Sequence, residues 1–134
     1  MRTILSLLVI LIVSFGASRV ALAKFDGSVP LLCVPIQVVD CEFGGKCFTG
    51  TAEDVNLPQF FKVDFQQKLL SAIDDASRTT KVNYTERDNG RLLMHGGQNG
   101  RGWTILISEE TGKLSATISD EGVGFVVFGA CTPL

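Results

Sequence analysis

The sequence of 134 residues is poor in the side chains that most catalytic and metal sites need, with one histidine and four cysteines. The histidine, His95, would have to serve any Ser-His-Asp or Cys-His arrangement, yet its position beside Gly96 is more typical of an ordinary strand residue. The cysteines form no Cys-x-x-Cys pair, which favours disulfides over zinc. EF-hand spacing and a GxGxxG loop before a helix are also missing. The sequence therefore predicts a protein that is not an enzyme and has no metal or cofactor.

Basic runs are missing as well. The chain has 12 Lys and Arg against 14 Asp and Glu, a net charge of −2. Without Arg2 and Arg19 the counts become 10 and 14, and the net charge becomes −4. A mildly acidic chain without a basic cluster argues against nucleic acid or an anionic membrane as the partner.

Long apolar runs are confined to the beginning of the chain. Arg2 precedes an apolar run at residues 4–15, and Ala21, Leu22 and Ala23 form a small-x-small cleavage site. A helix of a dozen residues spans about 18 Å, short of the roughly 30 Å of a hydrocarbon core. We therefore predict a signal peptide at residues 1–23 and a single domain at 24–134. The mature protein would be periplasmic or secreted, with no transmembrane segment after cleavage.

All four cysteines follow the predicted cleavage site, and an even number in a small exported domain favours disulfides. Cys41 and Cys47 flank a glycine-containing turn and would close the neck of a hairpin. Cys33 and Cys131 would then join the first strand to the last. Closing so long a loop restricts the unfolded chain strongly.

Residues 101–131 predict three antiparallel strands, because apolar and polar residues alternate there with a period of two. A loop at 109–112 would set three apolar pairs opposite each other: Ile107 and Leu114, Ile105 and Ala116, Trp103 and Ile118. Trp103 is thus predicted as a core residue whose indole nitrogen needs a polar partner. The third strand, from residue 125, is apolar on both faces, so we expect both to be covered.

The upstream chain predicts further short strands. Residues 31–39 form the first, in which Pro35 indicates an edge or a bulge. A three-residue loop at 66–68 would set Val63 opposite Ser71, and one at 88–90 would set Tyr84 opposite Met94. Residues 51–54 resemble a helix N-cap, and Pro58 limits the helix to one turn.

These patterns predict about nine strands and no long helix. The predicted fold is all-β, a single-domain antiparallel meander closing into a small barrel, with at most one short helical turn. A β-sandwich is the alternative.

In such a meander alternate connections lie at opposite ends. One end would carry the short turns at 66–68, 88–90 and 109–112, and the other the longer, glycine-richer connections at 74–79, 96–102 and 120–123. Excess loop length is where binding surfaces tend to lie. The predicted binding residues are Asp75, Arg78, Gln98, Asn99 and Arg101, with Asn99 and Arg101 as anchors. Loops that are simply long and solvated are an equally good explanation.

The segments NLPQFFKVDF, GRGWTILISEETGKLSATI and GFVVFGACT resemble a group of small exported proteobacterial proteins without an assigned function. The size and the late cysteine also resemble the periplasmic lysozyme-inhibitor barrels, although their serine-glycine-rich recognition loop is missing here. The resemblance implies a periplasmic or secreted location and transfers no catalytic residue. We expect an exported, non-catalytic binding or inhibitor-type module for a protein or small ligand, or alternatively a structural component of the cell envelope.

Overall fold

The computed structural model describes residues 25–134, so the predicted signal peptide at 1–23 lies outside the described residues. The described chain contains ten strands and one 3-10 turn. These are β1 (Leu31–Glu42), β2 (Phe48–Gly50), the 3-10 turn (Glu53–Val55), β3 (Phe61–Asp64), β4 (Leu69–Ala72), β5 (Thr79–Lys81), β6 (Tyr84–Asp88), β7 (Arg91–Gln98), β8 (Arg101–Ser108), β9 (Lys113–Asp120) and β10 (Val123–Pro133).

All ten strands belong to one antiparallel sheet in the order β5-β4-β3-β1-β10-β9-β8-β7-β6, and β2 pairs with β1 outside this path. The sheet curls into a half-barrel. The all-β antiparallel prediction is confirmed, and a sandwich of two sheets is not formed by these strands. The first strand lies between β3 and β10, which places the two ends of the domain together at the middle of the sheet.

The predicted register of β8 and β9 is confirmed. Ile107 pairs with Leu114, and the pairs Ile105 with Ala116 and Trp103 with Ile118 follow. The connection at 109–112 has four residues and ends at Gly112, whose φ of 68° is left-handed and whose N–H donates to the carbonyl of Ser108.

The predicted register of the β3–β4 hairpin is wrong by one residue. Val63 pairs with Leu70, not with Ser71. The turn begins early because the Asp64 carboxylate accepts the backbone N–H of Gln67 at 3.0 Å, and Lys68 adopts a left-handed φ of 52°. A shift of one residue exchanges the two faces of a strand, so Leu70 is buried and Ile73 is exposed.

The β6–β7 hairpin also differs from the prediction, because Tyr84 pairs with His95 and not with Met94. The turn has only two residues, Asn89 and Gly90, and both have positive φ. This is the conformation for which Asn-Gly is favoured in tight hairpins.

Residues 96–102 were expected to form a loop, and this is wrong. β7 continues to Gln98, β8 begins at Arg101, and the turn consists of Asn99 and Gly100 alone. Gly96 lies within the β7–β8 ladder, where other parts of the fold leave no room for a side chain. A Cβ there would be 2.4 Å from the carbonyl oxygen of Lys81 and from the ring of Trp103.

The expectation that β10 is covered on both faces is also wrong. Val127 and Cys131 point into the concave side and are buried, whereas Val126 and Phe128 on the convex side are exposed. Because the ten strands form a single curled sheet, its convex side carries no second layer of described residues.

Pro35 marks a bulge, one of its two predicted settings. The pairing of β1 with β10 shifts between Pro35 and Gln37, which leaves Ile36 as the extra residue. Gly129 lies opposite, and a Cβ there would be 2.2 Å from the carbonyl oxygen of Val34.

The structure joins Cys33 to Cys131 and Cys41 to Cys47, the pairs that the sequence predicts. Cys33 and Cys131 are directly opposite each other in the β1–β10 ladder. The first disulfide therefore ties the first strand to the last.

One short helical turn forms, within the predicted limit, but the predicted N-cap does not. The hydroxyl and backbone N–H of Thr51 both donate to the Asp54 carboxylate, at 2.9 and 2.7 Å. Asp54 is therefore the acceptor of this turn, and its pKa is lowered by these hydrogen bonds, that from the N–H first.

Most of the fully buried side chains lie toward one end of the curled sheet. We call it the closed end and define it by the turns at 65–68, 89–90 and 109–112. Leu31, Leu92, Met94 and Ile107 are fully buried. Phe25 packs against Gly112 at this end. The opposite, open end carries the connections at 73–78, 99–100 and 121–122.

Candidate functional site

A cavity of about 680 Å³ occupies the concave side of the sheet. Its principal wall is formed by inward-facing side chains of β8, β9 and β10: Trp103, Ile105, Leu114, Ala116, Ile118 and Val127. These residues lie together because apolar positions alternate along each strand and the register brings them into neighbouring rows. The opposite wall includes Phe61 of β3 and Leu70 of β4.

The middle of the wall contains one small side chain. Ala116 lies between Ile105 on β8 and Val127 on β10 in the same row. A methyl group in a row of larger aliphatic residues leaves space that a larger residue would fill.

The mouth of the cavity is polar and lies at the open end. Arg78, Gln98, Asn99 and Arg101 all line it, together with Asp120. The structure thus brings four of the five predicted binding residues to one opening, and their role in binding stays a prediction. The fifth, Asp75, is not part of the lining.

Asp75 instead stabilises its own connection. Its Oδ1 accepts hydrogen bonds from the backbone N–H of Ser77 at 2.9 Å and from the Ser77 hydroxyl at 2.6 Å. These hydrogen bonds lower the pKa of Asp75, and the bond from the hydroxyl has the larger effect. The nearby charge of Arg78 lowers it further.

Arg101 and Asp120 form an ion pair across the β8–β9 ladder at the mouth. The Nε of Arg101 donates to Oδ2 of Asp120 at 2.6 Å. The hydrogen bond from Arg101, and after it the N–H of Glu121, lowers the pKa of Asp120. Asp120 therefore orients the guanidinium at the edge of the cavity.

Arg78 holds two loops of the open end together. Its Nη2 donates to the backbone carbonyl of Asn56 at 2.5 Å. Asn56 has a left-handed φ of 54° and ends the 3-10 turn, and Leu57 and Pro58 then continue into the cavity wall.

Trp103 lies just below the mouth. It faces Ile118 as predicted, but it is only partly buried, so the prediction of a core residue needs correction: the indole lines the cavity. Its Nε1 donates to the Thr80 hydroxyl at 3.1 Å.

The apolar wall was not predicted from the sequence as part of a site, whereas four residues of the polar mouth were. The only local sequence feature that indicates this wall is Ala116 among larger residues. An ordinary strand can contain the same feature. The curl that encloses the cavity depends on contacts between distant segments.

His95 lies away from this cavity. It is exposed on the convex face of β7 and stacks on Tyr84, with ring centroids 5.0 Å apart. Within residues 25–134, no three His, Cys, Asp or Glu side chains cluster as metal ligands. In the same part of the chain, no helix has the length and apolar character to span a bilayer.

Comparison with known proteins gives no match to a family model, a curated protein or a solved structure. We therefore base the proposed function on the cavity.

Proposed function

We propose that this protein is a small exported, non-catalytic binding module that holds an apolar molecule, or an apolar part of one, in the cavity. The observation that carries the proposal is an apolar-walled cavity of about 680 Å³ with a polar mouth. Cavities of roughly 300–1,000 Å³, mostly apolar with a few polar groups, are typical of small-molecule sites.

Export to the periplasm or the cell exterior is supported by the two disulfides, because such bonds persist in oxidising compartments. The n-region, apolar run and cleavage motif at residues 1–23 support the same conclusion. The resemblance to small exported proteobacterial proteins agrees with it.

Closure of the half-barrel around the cavity is part of the proposal. β5 and β7 approach each other at Gly96, and the N–H of Asn83 donates to the carbonyl of His95 at 3.0 Å. The hydrogen bond from Trp103 to Thr80 adds a side-chain link between β8 and β5. A closed wall would shield an apolar ligand from water.

A binding role without catalysis is supported by the composition of the lining. Its hydroxyl groups come from Ser77, Thr79, Thr80 and Ser71, and among the described lining residues none is a histidine or a cysteine. A nucleophile needs a base within hydrogen-bond reach. The one carboxylate of the described lining, that of Asp120, is instead paired with Arg101.

The test uses Trp103, the only tryptophan of the chain. Purified mature protein is titrated with the uncharged probe N-phenyl-1-naphthylamine, and the fluorescence of probe and tryptophan is recorded. We expect saturable probe binding with a change in Trp103 emission.

Two variants make the test specific. Ala116→Phe would fill the cavity and should abolish probe binding, whereas Ser115→Phe on the convex face should retain it. Circular dichroism checks that both variants fold. Absence of binding to the wild type, or equal binding to Ala116→Phe, would reject the proposal.

A second candidate, a structural component of the cell envelope, is favoured by the exposed convex face. Ile36 is 65% exposed and Phe128 is 46% exposed. If envelope proteins co-purify with the wild type and with Ala116→Phe but not with Phe128→Ser, this role is favoured over ligand binding.

A further inference from the structure

We propose that the cavity takes an amphipathic anion, with its apolar chain among the side chains of β8–β10 and its negatively charged head group at Arg78 and Arg101. This inference rests on the proposed function and specifies the class of ligand. It follows from the charge of the mouth, the donors that the two arginines present, and the depth of the apolar wall.

The lining is positive although the chain is acidic. Its charged side chains are Arg78, Arg101 and Asp120, so two positive charges and one negative charge give +1. The whole chain carries −2. A positive opening above low-dielectric apolar walls attracts anions and disfavours cations.

Arg101 retains donors for a head group. The guanidinium has five N–H groups, and the bond to Asp120 uses the one on Nε. The Arg101 side chain is 61% exposed. The ion pair therefore engages Nε and leaves the N–H groups of the terminal nitrogens available to a carboxylate or phosphate.

Arg78 supplies the second cation. Its hydrogen bond goes to a backbone carbonyl, that of Asn56, which carries no formal charge. Arg78 is one of the groups that lower the pKa of Asp75. The Asp75 carboxylate, however, accepts the hydrogen bonds of Ser77 and lies outside the lining. The charge of Arg78 is thus only partly offset.

Below the arginines the wall is apolar for several rows. Leu114, at the far end of the wall, pairs with Ile107 of β8. Ile107 lies four residues along β8 from Trp103. At roughly 3.3 Å per residue this is about 13 Å. Such a depth suits an alkyl chain of medium length, and Trp103 lies where the chain would meet its head group.

The experiment measures displacement of N-phenyl-1-naphthylamine by four amphiphiles with the same ten-carbon chain. These are decanoate, decyl phosphate, decanol and decyltrimethylammonium. We expect the two anions to displace the probe at concentrations at least about tenfold lower than the neutral and cationic compounds, as one charge-assisted hydrogen bond would give. The better of the two anions distinguishes a carboxylate from a phosphate head group.

The variants Arg78→Gln and Arg101→Gln should each weaken displacement by the anions several-fold and leave decanol unchanged. Arg87→Gln is the matched control, since Arg87 also pairs with an acid, Glu109, but lies at the closed end. It should change neither result.

The outcomes separate the two proposals. If the probe binds but decanol and decyltrimethylammonium compete as well as the anions, or if both cavity arginine variants behave as Arg87→Gln does, anion selectivity is rejected and the apolar site stands. If neither the probe nor any amphiphile binds, as checked by calorimetry, both proposals are rejected.

Discussion

The indole Nε1 of Trp103 donates a hydrogen bond to the hydroxyl of Thr80 at 3.1 Å, and this contact spans the curl of the sheet. Thr80 belongs to β5, the first strand in the sheet order, and Trp103 to β8, the seventh. Their contact requires the sheet to bend back on itself. The same bend creates the cavity, so Trp103 both lines the candidate site and holds its enclosure together.

Thr80→Val should therefore lower the free energy of unfolding by about 1 kcal/mol, because the valine keeps the shape of threonine but leaves the indole N–H without its partner. Urea denaturation measures the change. Thr79→Val, the control in the preceding position of β5, should change it by less than about 0.5 kcal/mol. Equal effects of the two variants would mean that the hydrogen bond does not stabilise the curl.

The two disulfides should contribute unequally. They close loops with sequence separations of 98 and 6. In the chain-entropy model, Cys33→Ala/Cys131→Ala should cost roughly 4–5 kcal/mol and Cys41→Ala/Cys47→Ala only about 2–3 kcal/mol. Urea denaturation of both double variants under oxidising conditions gives the comparison. A loss from the second pair as large as from the first would contradict this expectation.

The register of a hairpin could be predicted from the sequence only where the residues of its own turn determine the length of that turn. For β8 and β9, the alternation of apolar and polar residues in both strands indicates one register. A four-residue loop that ends at Gly112 indicates the same register. For β3 and β4 the correct register requires a left-handed lysine, Lys68, which no local preference indicates. At Asn89 and Gly90 the turn signal was recognised, but its length of two residues was not.

Glycine in strands was the other source of error. Gly96 lies in β7 because Lys81 and Trp103 approach its backbone from elsewhere in the fold. Such contacts cannot be seen in a local pattern, in which Gly96, Gly97, Gly100 and Gly102 together resemble a loop. The prediction that Arg78, Gln98, Asn99 and Arg101 share one end of the sheet still agrees with the structure. Alternation of connections depends only on the order of the strands and not on where each one ends.

Asp64 should make stability depend on pH. It is 9% exposed, and the backbone N–H of Gln67, and then the ammonium of Lys62, lower the pKa of its carboxyl. A pKa below the unfolded value of about 3.9 means that the folded state favours the carboxylate. This stabilisation is present above the unfolded pKa and is lost as the pH falls through the folded one.

We therefore expect Asp64→Asn to be less stable than the wild type at pH 7, with a difference that shrinks as the pH is lowered below about 4. Thermal unfolding followed by circular dichroism between pH 7 and pH 2 measures both proteins. A difference that stays constant over this range would show that the ionisation of Asp64 does not stabilise the fold.

Gly96 provides the most direct test of how closely β5 approaches β7. A Cβ at this position would lie 2.4 Å from the Lys81 carbonyl oxygen and 2.4 Å from the Trp103 ring. Gly96→Ala must therefore push both of these groups away from β7. We expect the free energy of unfolding to fall by about 2 kcal/mol or more, as overpacking typically costs. The emission of Trp103 should shift as the indole moves.

Gly102→Ala is the control, because its Cβ would meet only Ser119 Oγ at an ordinary 3.5 Å. That variant should be close to wild type in stability and emission. If Gly96→Ala were as well tolerated as Gly102→Ala, β5 would have to lie farther from β7 than in this fold, and the proposed closure around the cavity would fail with it.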